Sequence, residues 1–170
     1  MKPLVFNSTS LIYLSKAGVS GIIKSLQEEK LTSPLVKAEV VDKGKQKGVP
    51  DAIALEKFFE TGVFRLCNPK DRLFLSRLTK TRGLHAADAE VLALAKEHEG
   101  LAVIDDEVAR KTAKVYKISY RGTPYILARA VYEGFLTKKQ AKAAVKDMIS
   151  SGWRCNVETY AKVMELIDKM

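Results

Sequence analysis

Five residues with oxygen-bearing side chains stand where a fold can gather them: Asn7, Glu39, Asp88, Asp105 and Asp106. Asn7 follows the apolar run PLVF, and Asp105-Asp106 follow LAVI (101–104). Short, continuous apolar runs of this kind read as strands covered on both faces. In an open parallel sheet, polar groups at the carboxyl ends of strands face a common crevice. Asp88 lies within LHAADAEVLALAKEH (84–98), on the apolar side of a helical stripe. Leu92 is about 40° from it around the axis and Ala95 about 20° the other way. Glu39 has Leu35 and Val36 one turn earlier on its own side. A carboxylate on the buried side of a helix is costly unless it is paired or bound to a metal. Each residue also has an ordinary structural use. Asn7 and the two aspartates can cap helices, Asp88 can sit in a first turn where the helix dipole welcomes it, and Lys43 can pair with Glu39 at i,i+4.

Gathered, such acids suit a hard divalent cation, which takes a few carboxylates and keeps several waters. Ions of this kind activate water and stabilise the leaving oxygen of a phosphodiester. The rest of the chain suits the same chemistry. Lys plus Arg number 29 against 20 Asp plus Glu, a net charge of +9 that favours a polyanionic partner. The excess is concentrated. Arg110, Lys111, Lys114, Lys117 and Arg121 fall in an acid-free stretch; Lys70, Arg72, Arg77, Lys80 and Arg82 share theirs with Asp71 alone; Lys43, Lys45 and Lys47 form a third group. Each group is by itself an ordinary solvated face, but an acidic centre inside a basic exterior is the pattern of a metal-dependent nuclease. Cys67 and Cys155 lack metal-ligand spacing, which argues against a disulfide framework or a zinc site. No apolar run approaches the roughly 20 residues that span a bilayer, and MKPLVFNSTS lacks a signal-peptide core, so a cytoplasmic protein is expected.

The elements that must position these residues alternate in type. After the strand PLVF, the cluster Asn7-Ser8-Thr9-Ser10 opens a helix that stops near Gly18; a second runs from about Gly21 to Gln27. Lys30–Thr32 is a strand candidate, Pro34 opens a helix reaching about Lys45, Pro50–Glu60 is another helix, and Val63–Leu66 is apolar. Helix 84–98 ends at Gly100, EVARKTAKVY resumes helical spacing, and Ile118–Tyr120 is a candidate last strand. From Thr123 onward the chain reads as helical, with Thr123-Pro124 as cap and first turn and Thr137–Gln140 as a capping box. Alternation without hairpin signals predicts one α/β domain over residues 1–170, a three-layer open parallel sheet flanked by helices, with a helical C-terminal extension. A receiver-type phospho-switch shares the sheet, but its aspartate pair belongs near the first strand rather than at 105–106.

Taken in order, VFNSTSLIYLSKAG, VKAEVV, LHAADAEVLALAKE and LAVIDDEVARKTAKV resemble the PIN domain, the fold of VapC-type toxin ribonucleases and related RNA-processing nucleases. The tail GTPYILARAVYEGFLT…SGWRCNVETY is similar to a prokaryotic branch of that family. The resemblance implies an endoribonuclease using Mg²⁺ or Mn²⁺, with Glu39, Asp88 and Asp106 as catalytic metal ligands, Asp105 and Asn7 beside them, and Thr9 orienting the loop or a water. It further implies single-stranded RNA as substrate, a homodimer, and in the toxin branch an antitoxin partner. Lys43, Lys45, Arg110, Lys111 and Lys114 are the expected nucleic-acid contacts. One departure stands out: where the family usually has Asp after the first strand, this chain has Asn7. An enzyme with weakened metal affinity, a substitution made to tame a toxic enzyme, and a module that only binds RNA or protein are all compatible with that change.

Overall fold

The computed structural model describes all 170 residues. Its centre is a five-stranded, all-parallel sheet: β1 (Leu4–Phe6), β2 (Lys30–Thr32), β3 (Phe64–Leu66), β4 (Leu101–Val103) and β5 (Tyr120–Arg121), in the order β3-β2-β1-β4-β5. The order reverses at β1, whose neighbours are β2 on one side and β4 on the other, with Phe6 opposite Val103. Ligands of open α/β sheets bind outside the strand carboxyl ends at such a reversal. Asn7 leaves the end of β1 directly, and Asp105-Asp106 follow the end of β4 after Ile104.

Helices cover both faces, as a sheet made only of crossovers requires. They are α1 (Ser8–Lys16), α2 (Ile22–Ser25), α3 (Pro34–Lys37), α4 (Lys43–Gln46), α5 (Pro50–Glu60), α6 (Arg72–Thr79), α7 (Ala86–Glu97), α8 (Glu107–Val115), α9 (Thr123–Tyr132), α10 (Lys138–Ser150) and α11 (Val157–Lys169). A cluster of 41 buried apolar residues runs from Leu4 to Ile167, so the C-terminal helices are part of the core. The expected capping box of α10 is present, with Gln140 N donating to Thr137 Oγ1 at 3.1 Å and Thr137 N to Gln140 Oε1 at 2.9 Å.

Four local differences from the sequence reading have physical causes. The helix expected over 35–45 is interrupted by a π-helical turn, Ala38–Asp42, between α3 and α4. The helix expected over 21–27 is the single turn α2, because Leu26 is already extended and leads toward β2. Helix α6 has no counterpart in the sequence reading, which saw only a basic stretch. Asp71 caps it, accepting from Phe74 N at 2.8 Å, and Phe74 and Leu78, one turn apart, bury its inner side. Finally, β5 begins two residues later than expected. Ile118 closes α8 instead, donating to Ala113 O at 2.8 Å while Lys117 takes φ +54. That is a Schellman closure with lysine in the position glycine usually fills.

Gly100 has a different task from the helix stop expected of it. Glu99, at φ +49, is the left-handed residue that ends α7. A Cβ at Gly100 would lie 2.8 Å from Pro3 O, so glycine there lets the end of α7 pass against the start of β1.

Candidate active site

At the end of β1, Asn7 turns its side chain inward and is 1% exposed. Its Oδ1 accepts from Ser10 N at 3.0 Å, the capping bond of α1. A backbone N–H can only donate, so the atom facing it must be the amide oxygen. The amide nitrogen therefore faces the other way, and it donates to Asp88 Oδ1 at 3.0 Å. Asn7 thus presents an N–H to the crevice, with its one oxygen committed to the helix.

Asp88 lies in the first turn of α7 and is 7% exposed, so the dipole and the buried position foreseen as alternatives both apply. Burial pushes its carboxyl pKa above the ordinary carboxylate value. The Asn7 hydrogen bond and the neighbouring His85 oppose that rise, and the charges of Asp106 and Glu39 add to it. Glu39, far away in sequence, reaches this point from the π-helical turn. The extra residue in that turn removes Lys43 from the i,i+4 position over Glu39, and no ion pair forms between them. Ser8 Oγ donates to Glu39 Oε2 instead. Single π turns inside helices are rare, and they occur frequently at functional sites.

The neighbouring aspartates separate cleanly. Asp106 caps α8, accepting from Ala109 N at 2.8 Å, and its half-buried carboxylate lies close enough to Asp88 to raise that pKa. Asp105 is tied elsewhere: it accepts from Thr123 N at 2.9 Å, from Thr123 Oγ1 and from Arg110 Nη2 at 3.3 Å. Gly122 makes room for this knot, since a Cβ there would fall 2.4 Å from Arg110 Nη2 and 2.9 Å from Asp105 Oδ1. Thr123 is therefore not the cap of α9, as its sequence context suggests. Gly122 occupies that position, and the hydroxyl turns to Asp105.

Glu39, Asp88 and Asp106 share no lysine or arginine partner, in contrast to Asp105. As they stand, no three Asp, Glu, His or Cys side chains close around one point that would hold a metal ion. Thr9 lines the recess beside Asp106, together with Tyr13 and His85. Of the expected nucleic-acid contacts, Arg110 is bound to Asp105, Lys111 pairs with Glu107 at 2.7 Å and Lys45 with Glu56 at 2.6 Å; Lys43 and Lys114 are exposed without an ion pair. Sequence reasoning missed Ser8 and Thr123 as positioning groups. The serine's place next to a strand end was the only available signal for the first. The second had none, because its partner lies eighteen residues away.

The state of Asp88 yields a stability prediction. In the folded protein it holds its proton more tightly than in the unfolded chain. Stability therefore declines as pH rises from the ordinary carboxylate pKa through the raised one, and the penalty stays constant above it. Asp88→Asn removes this penalty, and its amide oxygen still accepts from Asn7. The expected result is a melting temperature a few degrees above wild type at pH 7, about 2–4 °C for each kcal/mol relieved at this chain size. The gain vanishes below pH 4. Thermal unfolding across pH checks it, and a large loss of stability at pH 7 would contradict the geometry.

No helix is long and apolar enough to cross a membrane. A family model described as a PIN domain (DUF3368) matches residues 3–169. No curated protein matches the chain.

Proposed function

As this chain belongs to the PIN-domain family, we propose that it is an endoribonuclease, hydrolysing phosphodiester bonds of single-stranded RNA with Mg²⁺ or Mn²⁺. The observation that carries this reading is the convergence of the Glu39 and Asp106 charges on buried Asp88 with no lysine or arginine among them, His85 being the one basic side chain that acts on Asp88. Oxygen donors with uncompensated negative charge fit a hard divalent cation. Glu39, Asp88 and Asp106 would hold it, with waters completing its shell where the three acids do not close around one point. When bound, the ion lowers the pKa of a water and offsets charge on the leaving oxygen.

The protein's own part is to hold these acids in place. Ser8 fixes Glu39, the Asn7 amide fixes one oxygen of Asp88, and the first turn of α8 fixes Asp106. Asp105 stays out of the reaction and supports the floor beneath it, tying β4 to α8 and α9. Basic residues around the crevice hold the strand by its phosphates.

The test is cleavage of a single-stranded oligoribonucleotide that requires Mn²⁺ or Mg²⁺ and stops in EDTA. Binding, measured in EDTA, is expected to weaken steeply with salt, with a log–log slope of about −0.7 for each phosphate neutralised. A flat salt dependence would remove RNA as the substrate.

A second reading has its own supporting observation: the Asn7 N–H aimed at Asp88 supplies part of what a cation otherwise supplies. On that reading the protein binds RNA or another protein without cutting. Isothermal titration with Mn²⁺ separates the two, since absence of binding at millimolar metal favours the non-catalytic module.

A further inference from the structure

Two recesses open beside Asp106 and share it. The larger, about 910 Å³, runs between the start of α8 and the loop joining α10 to α11. The smaller, about 350 Å³, continues past Tyr13 and His85. Gly152, Trp153 and Arg154 wall both, so they make one groove with Asp106 at its waist. Its size is far more than a lone ion fills.

The wall on the α10–α11 side is built firmly. Gly152 takes φ +102, and Trp153 N donates to Met148 O at 2.9 Å, closing α10. The Trp153 side chain is 5% exposed and anchors the loop in the core. Its indole N–H is buried and has no acceptor in the protein. A buried polar group left unpaired is uncommon enough to require an explanation. Arg154, the next residue, is exposed and makes no ion pair.

Charge along the groove singles out the same residue. Arg110 is matched by Asp105, and Lys111 by Glu107. What remains without an ion-pair partner is one acid, Asp106, and two basic side chains, His85 beside the acid and Arg154 on the opposite wall. A filling ligand must therefore bring an anion to Arg154 while passing the acids at Asp106. A phosphodiester chain whose scissile group lies at the acids and whose flanking phosphate lies at Arg154 does both.

We propose that this groove seats single-stranded RNA across Asp106, with the α10–α11 loop as its contacting wall and Arg154 as the residue that holds a flanking phosphate. The proposal rests on the RNA reading above and adds the surface that carries the strand. It moves the principal phosphate contact from α4 and α8, where sequence placed it, to the C-terminal extension.

Trp153 is the single tryptophan of the chain, so its emission reports on this wall alone. The full-length protein is titrated in EDTA with an unlabelled ten-residue oligouridylate, following tryptophan emission. A parallel series follows anisotropy of a 5′-labelled copy. Emission is expected to change with the same midpoint as anisotropy. Arg154→Ala is expected to weaken binding about tenfold and to reduce the size of the salt slope by about 0.7, as loss of one phosphate contact requires. Arg154→Lys, which keeps the charge, retains the slope. Both variants should melt as wild type does, because an exposed, unpaired arginine contributes within about 0.5 kcal/mol.

Strand binding with unchanged emission and an unaffected Arg154→Ala variant would overturn the groove while leaving RNA as the ligand. Absence of any binding by the wild-type protein would overturn both.

Discussion

Asp105→Ala is expected to lower the melting temperature by roughly 10 °C, while Asp106→Ala lowers it by only a few degrees and abolishes cleavage. The side chain of Asp105 is 8% exposed and accepts from two groups of Thr123, itself fully buried, and from Arg110. Truncation leaves the Thr123 N–H and hydroxyl without acceptors and the guanidinium without its partner. Buried donors abandoned in this way cost about 1–3 kcal/mol each, and the Arg110 pair adds little because its guanidinium is a third exposed. Asp106 loses one helix cap, worth about 1 kcal/mol, or about 2–4 °C at this size. Its activity loss should exceed the 10–100-fold typical of residues that merely support a metal ligand. Circular dichroism melts and cleavage of a labelled single-stranded RNA, run on the same preparations, check both halves. A stable but inactive Asp105→Ala, paired with an unstable but active Asp106→Ala, would exchange the two roles.

That contrast also shows what the sequence could reveal. LAVI followed by two acids announces a strand end and a polar crevice, because the apolar run and the change of character are local. PLVF before Asn7 does the same, and the stripe through α7 places Asp88 on its buried side. The resemblance to the family then implies which acids belong together, which four separate segments could not do from periodicity alone. The π turn that aims Glu39 was illegible, since VKAEVVDKG has ordinary helical spacing and nothing in it marks the extra residue. The fate of Asp105 was illegible for another reason: its partners Thr123 and Gly122 arrive by a crossover, and nothing in DDEVARK refers to them. Helix α6 was hidden because it is short and buries only Phe74 and Leu78, against two arginines in the same eight residues. The groove wall at Trp153 falls in the tail that resembles one branch of the family, but that resemblance assigns it no role, and SGWRCN reads locally as a helix stop.

Asn7→Asp should convert the crevice from one satisfied by hydrogen bonding to one that demands a cation. The substitution is nearly isosteric, and aspartate caps a helix as well as asparagine, so the bond from Ser10 N and the start of α1 survive. What changes is the atom facing Asp88. An N–H donor 3.0 Å from Asp88 Oδ1 is replaced by a carboxylate oxygen. Two carboxylates at such a distance cannot both ionise comfortably, so the variant must bind a proton or a metal. In EDTA at pH 7 it should be less stable than wild type by about 1.5–3 kcal/mol, the worth of a hydrogen bond to a charged group. The difference should shrink as pH falls into the carboxylate range, because one shared proton restores a donor between the two groups. Millimolar Mn²⁺ should restore stability as well, and an ion at one hundred times its dissociation constant contributes about 2.7 kcal/mol. Wild type, which already has a donor in place, should gain less from the same metal. The measurement is a melting curve in EDTA and in Mn²⁺ for both proteins, with no catalytic readout required. If the variant melts as wild type does and ignores Mn²⁺, residue 7 does not face Asp88, and the acids of this crevice do not act on a common ion. If it gains stability and cleavage together, Asn7 is the single atom-level change that attenuates a working nuclease site.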